Sequence, residues 1–267
     1  MHAARDFSPS AAAALNTVGG VVFDPLQLSA VTAWLRLAAG TITGSGYSSV
    51  PDVLASNPAT QGTDASRPPN VNTTGGFPQA DFTNGPFLSW PTASNNNQTS
   101  AWGVALWLSP DIVTGSHGII CSRVGSATDR IEIMQSSADF FVDIYISQFS
   151  SRRATITSFF SAGTRFFFTL EYNGAGADDS AKCTITKNAV VQSPTFSDSA
   201  GAPGAMPASL VSAGNPYIIG ARTTAPLQPF DGKMGPNIWT LGSVMTGATQ
   251  GLLTTGARSN LMNFEST

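Results

Sequence analysis

Apolar and polar residues alternate along most of this chain with a period of two. That is the spacing at which successive side chains leave opposite faces of a β-strand. The clearest case is residues 100–110, SAWGVALWLSP. Trp102, Val104, Leu106 and Leu108 fall on one face, and Ala101, Gly103, Ala105 and Trp107 on the other. The bulky face belongs in a core, and Ser109-Pro110-Asp111 stops the strand. The pattern predicts a central strand of a sandwich.

The second half reads as a run of further strands. Residues 119–123 form one, and residues 130–134 place Ile131 and Ile133 inward. Residues 139–147 put Phe140, Val142, Ile144 and Ile146 on one face, with Asp139, Phe141, Asp143 and Tyr145 on the other. Residues 164–172 set Phe166, Phe168, Leu170 and Tyr172 against Arg165, Phe167, Thr169 and Glu171. Residues 153–157 are a short strand, 182–191 a hairpin turning at Lys187-Asn188, and 217–219 and 235–241 the last strands. Upstream, Val31, Ala33, Leu35 and Leu37 alternate with Thr32, Trp34 and Arg36.

Other stretches lack the alternation. Residues 40–90 are broken by Gly, Pro and Asn, which predicts long loops with short strands near Phe82 and over 87–90. Residues 194–215 predict a second long surface loop. The expected domain spans 23–267. Before it, residues 1–22 read as an arm, interrupted by Ser8-Pro9-Ser10 and Gly19-Gly20, that attaches to a neighbour. At the other end, Leu252, Leu253, Ala257 and Leu261 recur at helical spacing and predict a short C-terminal helix on the sandwich edge.

Composition narrows the partners. Charged residues are 11 % of the chain, against about 25 % in an average soluble protein, so Ser, Thr, Asn, Gln and Gly must carry the surface. The net charge is -3, with three lysines and no basic cluster larger than Arg152-Arg153. Binding to nucleic acid through its phosphates needs a positive patch and is not expected. No apolar run reaches the roughly 18 residues of a membrane helix, and no cationic, apolar leader opens the chain. The two cysteines, Cys121 and Cys183, lack metal or redox spacing and read as buried free thiols of a protein folded in a reducing cytoplasm; a disulfide between them stays open.

Several segments together resemble the concanavalin-A-like, or laminin-G-like, jelly-roll family. Phe23-Asp24-Pro25 through Trp34-Leu35 resembles its entry turn and Trp-bearing strand. Residues 49–53 (SVPDV) and 60–68 (TQGTDASRP) stand where related phage sequences carry short motifs, although the first lacks the family's Trp. Residues 81–88 resemble the strand entering the jelly roll, 101–110 the signature strand, and 164–173 and 182–191 the strand and hairpin that follow. Ile218-Ile219-Gly220 and residues 229–234 (PFDGKM) resemble the closing pair. The resemblance covers about residues 23–255 and implies an all-β, concanavalin-A-like jelly-roll β-sandwich. The family holds lectins, glycosidases, adhesion modules and virion proteins, so the fold leaves function open.

Candidate chemistry is sparse. A glycosidase of this fold needs paired carboxylates, and the family's glucanases alternate Glu-x-Asp-x-Glu on one strand. Residues 139–143 (DFFVD) put Phe141 where the middle acid would stand, and Glu132 is one acid beside Arg130. The only histidines are His2 and His117, without a spaced acid or a Gly-x-Ser-x-Gly turn, which predicts no nucleophilic triad and no zinc site. Loop acids Asp129, Asp178 and Asp179 offer oxygen ligands that calcium could use. Trp107, Phe141, Tyr145 and Phe167, with Asp143 and Arg165 beside them, fall on the second face of their strands; rings there stack sugars or pack beneath other structure.

The combined expectation is a non-enzymatic virion structural protein of a tailed phage, assembled in the host cytoplasm. It is a capsid-decorating, fibre or other surface component, held to other virion subunits through residues 1–20, as a homo-oligomer, and presenting a lectin-like sandwich. The alternative is a carbohydrate-binding module, lectin or receptor adhesin, that meets a host surface glycan through Trp107, Phe141, Asp143 and Tyr145. A glycoside hydrolase of the same fold is the third reading.

Overall fold

The computed structural model describes residues 33–54, 57–72, 78–91, 100–122, 131–147, 150–188, 190–209, 216–223 and 227–241. Their strands form two antiparallel sheets. The first takes β1 (Ala33–Leu35), β5 (Asn70–Asn72), β6 (Pro78–Asp81), β8 (Ala101–Pro110), β13 (Phe166–Asn173), β14 (Cys183–Lys187), β15 (Val190–Val191) and β18 (Gly232–Leu241). Its order is β15-β14-β13-β8-β18-β6-β5, with β1 also paired to β18. The second takes β2 (Thr41–Thr43), β3 (Gly46–Val50), β4 (Ala59–Thr60), β7 (Leu88–Trp90), β9 (Ser116–Cys121), β10 (Ile131–Ser136), β11 (Asp139–Ser147), β12 (Ser150–Ile156), β16 (Thr195–Ala200) and β17 (Tyr217–Ile219). Its order is β16-β12-β11-β10-β9-β17-β7-β4-β3-β2. A short α-helix, α1 (Asp179–Lys182), lies between β13 and β14.

This is the expected β-sandwich, and β8 is central in it, flanked by β13 and β18. Trp102, Val104, Leu106 and Leu108 enter the core, where Phe140, Val142 and Ile144 of the second sheet meet them. The aromatic core has two concentrations. Phe140 packs on Phe159, Phe160 and Phe168 with ring centroids 4.8, 6.0 and 5.5 Å away. Trp90, Tyr217 and Trp239 form a second group, with centroids 4.9–5.7 Å apart. Cys121 and Cys183 are both buried thiols, outside any disulfide. Cys183 lies in the core, where burial pushes its thiol up to about 12; Cys121 sits with Met134 and Phe141 on the outside of the second sheet.

Two segments differ from expectation. Residues 40–90, expected as long loops with short strands near Phe82 and over 87–90, hold β6 and β7 near those places and also the unexpected β2 to β5; together they supply edges of both sheets. These strands are two to five residues long, too short to show a period, and several find partners far along the chain: β7 pairs β17 and β6 pairs β18. Side chains tie the turns between them. Arg67 donates to the Thr43, Gln61 and Gly62 carbonyls and to Asp64, while the Tyr47 hydroxyl donates to Asn70 Oδ1 at 2.9 Å. Within 194–215, Thr195–Ala200 is not loop but the edge strand β16, aligned on β12. The expected arm, residues 1–22, and the C-terminal helix lie outside the described residues.

The outer face of the first sheet is dry for an exterior. Ala105, Phe167, Thr169, Ile238 and Thr240 are fully buried there. Glu171 shares that face, opposite Gly103 and Thr184, and has no cation partner among the described residues. Burial raises its carboxyl from 4.5 to about 7. The folded state therefore keeps a proton that the unfolded chain loses above pH 4.5. Stability from this group is full below pH 4.5 and falls as pH rises to about 7. Glu171→Gln should leave stability unchanged at pH 4 and raise it by roughly 1–2 kcal/mol at pH 8, read by urea unfolding at both values. An equal effect at both would assign Glu171 no titrating role.

Candidate functional site

The outer face of the second sheet carries a continuous cross-strand row. Glu132 of β10 pairs with Asp143 of β11, Asp143 with Arg153 of β12, and Arg153 with Ser197 of β16. In the other direction Glu132 pairs with Cys121, followed by Ile218, Ser89, Thr60, Ser49 and Thr41. Partners in an antiparallel register share a face. The centre of the row is thus ionic and its ends carry hydroxyls.

At the centre, two carboxylates lie side by side and each is held by an arginine. Arg153 donates from Nε and Nη2 to the two oxygens of Asp143, at 2.7 and 2.6 Å. Arg222 donates from Nε and Nη2 to the two oxygens of Glu132, at 3.1 and 2.9 Å. Such two-point pairs are the stronger class of charged hydrogen bond. The acids are sealed, with side chains 2 % and 1 % exposed, while the arginines keep 33 % and 26 %. Hydrogen bonding to Asp143 raises the Arg153 guanidinium above its usual value. Burial works against the charge of Arg222, but its bonds to Glu132 leave it raised as well.

Rings complete the cluster. The Arg153 guanidinium lies 4.0 Å from the centroid of Phe141, and the Tyr145 hydroxyl points to Glu132 Oε2 at 3.5 Å. Phe141 and Tyr145 are 8 % and 7 % exposed, so arginine, rather than aromatic ring, forms much of the presented surface. Arg222 arrives over this face because Gly118 has no side chain. A Cβ there would meet the Arg222 backbone nitrogen at 2.4 Å. With that space open, the chain after β17 crosses β9 and brings Arg222 to Glu132.

Of the expected sugar-contacting residues, the structure brings Phe141, Asp143 and Tyr145 together but not Trp107. Trp107 belongs to β8 of the first sheet and faces out on the opposite side of the sandwich. There it is 6 % exposed, packed on Phe167 at 5.3 Å, with the Arg165 guanidinium 5.1 Å from its ring. Alternation sorts residues into two faces of one strand but does not tell which sheet that strand joins. Arg153 and Arg222 completed the cluster without an alternation signal to single them out. Arg153 has an outward position on β12, whereas Arg222 comes from an irregular segment.

The loop acids considered for calcium are engaged by protein donors. Asp178 caps α1, accepting from the Ala181 backbone and the Ser180 hydroxyl through Oδ1. Asp179 accepts from Arg152 Nε and from the Met206 backbone, each at 2.7 Å. Asp129 lies outside the described residues. Among the described residues, no group of three or more His, Cys, Asp or Glu is placed to hold a metal ion. His117 has both ring nitrogens on carbonyl oxygens, of Thr114 and Pro229, and bridges two loops.

Known structures share this architecture. Domain 4 of AbnA, a GH43 extracellular arabinanase from Geobacillus stearothermophilus solved with arabinotriose, aligns with a TM-score of 0.53 over 84 % of this chain and 98 % of its own, at 13 % identity. The CBM40 of Ruminococcus gnavus IT-sialidase, bound to α2,3-sialyllactose, aligns at 0.50 over 66 % and 95 %, at 8 % identity. This is a two-sheet β-sandwich. A third neighbour, Trypanosoma rangeli sialidase, aligns at 0.52 over 86 % of this chain but only 33 % of its own, at 11 % identity. No protein-family model and no curated protein matches the sequence. At these identities the likeness concerns the fold.

Proposed function

We propose that this chain is a carbohydrate-binding module that holds a neutral glycan against the outer face of its second sheet. The observation that carries the reading is the paired cluster Arg153–Asp143 and Arg222–Glu132, set in a row that ends in serine and threonine hydroxyls. Two arginines against two acids leave no net charge, so the cluster favours hydroxyl groups over an acidic or basic ligand. The carboxylates fix the guanidinium planes, and a pre-oriented donor loses little freedom on binding. Neighbours of the same fold solved with arabinotriose and with sialyllactose support a sugar-binding role.

Binding without hydrolysis is part of the proposal. A glycosidase needs a carboxyl group to donate a proton and a second one to act as base or nucleophile. Here both central acids are committed to arginines. Nothing in the fold or its neighbours bears on the expected display on a tailed-phage virion. The attachment segment expected for it, residues 1–20, lies outside the described residues.

A glycan array followed by calorimetry tests the module. Arg153→Lys keeps the charge beside Asp143 but loses the two-point geometry. It should keep the fold and weaken the best neutral glycan at least tenfold, about 1.4 kcal/mol. Unchanged affinity in a folded variant would move the site off this face, and no binding to any glycan would end the reading.

A further inference from the structure

A second place in the molecule has the form of a ligand site. At the edge of the sandwich, the β13–β14 connection, β12 and the chain after β16 enclose an open groove of about 410 Å³. That lies within the range of small-molecule sites, about 300–1,000 Å³, and has room for a short saccharide. It is separate from the Arg153 cluster. Arg152 and Arg153 are successive residues of one strand, so they leave it on opposite faces.

The groove is built on a hydrogen-bonded frame. Arg152 donates from Nε to Asp179 and from Nη1 to Asp198, at 2.7 and 2.9 Å. Asp179 also accepts from the Met206 backbone, and Lys182 Nζ donates to the Met206 carbonyl at 2.7 Å. These bonds fix the walls and leave particular groups unused. Arg152 Nη2 has no partner among the described residues, the Asp178 carboxylate is exposed, and Lys182 has made one of its three possible bonds. Phe196 contributes a half-buried ring, and the small residues Gly204 and Ala205 line the groove as well. The lining thus offers donors (Arg152, Lys182), a carboxylate acceptor (Asp178) and an apolar ring (Phe196), which match a sugar with hydroxyls at its rim and C–H groups on its face. The lining charges, Arg152 and Lys182 against Asp178 and Asp179, balance.

We infer that this edge groove is a second saccharide subsite, taking a neutral oligosaccharide independently of the sheet face. The inference rests on the reading of the chain as a carbohydrate-binding module. Two subsites on one module raise the avidity for a polymer that can reach both.

Amide chemical shifts of the full chain separate the two sites, with arabinotriose, maltotriose and cellotriose each titrated as probe. The expected result is saturable shifts at residues 177–182 and 204–206, together with shifts at residues 141–145 of the sheet face. Ala177→Trp, an exposed groove position, should weaken the groove response at least tenfold and leave the response at 141–145 unchanged. Shifts at 141–145 with a silent groove would overturn the second subsite and leave the module reading intact. Groove shifts that disappear in Arg153→Lys would overturn the independence of the two sites. Silence at both with all three probes would overturn the inference and the sheet-face reading together.

Discussion

Arg153→Ala should cost about 3–5 kcal/mol of folding free energy. The substitution leaves Asp143, whose side chain is 2 % exposed, without its two-point partner. A carboxylate stripped of its counter-charge in that position has no second arginine to turn to, since Arg222 is committed to Glu132. The loss also uncovers Phe141, over which the Arg153 guanidinium lies. Urea unfolding measures the cost, and Asp143→Asn in the Arg153→Ala background should recover a good part of it, because a buried amide is cheaper than a buried charge. A loss below about 1 kcal/mol would class the pair with ordinary surface ion pairs. The apolar replacement Arg153→Met with Asp143→Leu goes further. Exchanging an entire buried pair for apolar groups is often neutral for stability. That double variant should therefore stay folded while losing glycan binding, which would show the pair to be kept for recognition rather than for the fold.

Phe140→Ala should cost a similar amount, about 3–5 kcal/mol. Phe140 is fully buried where the sheets meet, between Phe159 and Phe160 on one side and Phe168 on the other. Phe166 backs the same group, 5.3 Å from Phe159. Removing the ring forfeits its transfer from water and opens a cavity bounded by stiff rings that cannot collapse into it. Phe140→Leu should lose roughly half as much, because it keeps most of the apolar volume. The expected signature is a lower urea midpoint with an unchanged slope. A loss under about 1 kcal/mol would mean that the neighbouring rings close the space.

The two positions are adjacent in sequence and differ in how far they could be read there. Phe140 belongs to the alternating set Phe140, Val142 and Ile144, and all three enter the core as the pattern requires. The same pattern places Phe141, Asp143 and Tyr145 on the opposite face, and they do lie together there. What they meet on that face was not legible. Glu132, Arg153 and Arg222 reach them across other strands, Arg222 from 90 residues beyond Glu132. The separation of Trp107 from this set has the same origin, because alternation is a property of one strand and carries no label for its sheet. The small strands β2 to β5 were hidden for another reason. At two to five residues, they are held by pairing with one another and with β6 and β7, and by loop side chains such as Arg67 and Asp64, not by a pattern of their own.

Local chemistry alone sufficed for the class of fold, the central strand at residues 101–110, the inward faces of β8, β10, β11 and β13 and the low charge of the surface. All of these follow from steric and hydrophobic preferences acting over a few residues. Strand order, register, the meeting of two arginines with two buried acids and the groove beside Arg152 depend on which distant segments are brought together. Those choices are set by the energy of the packed whole, in which a contact between residues 132 and 222 counts as much as one between neighbours.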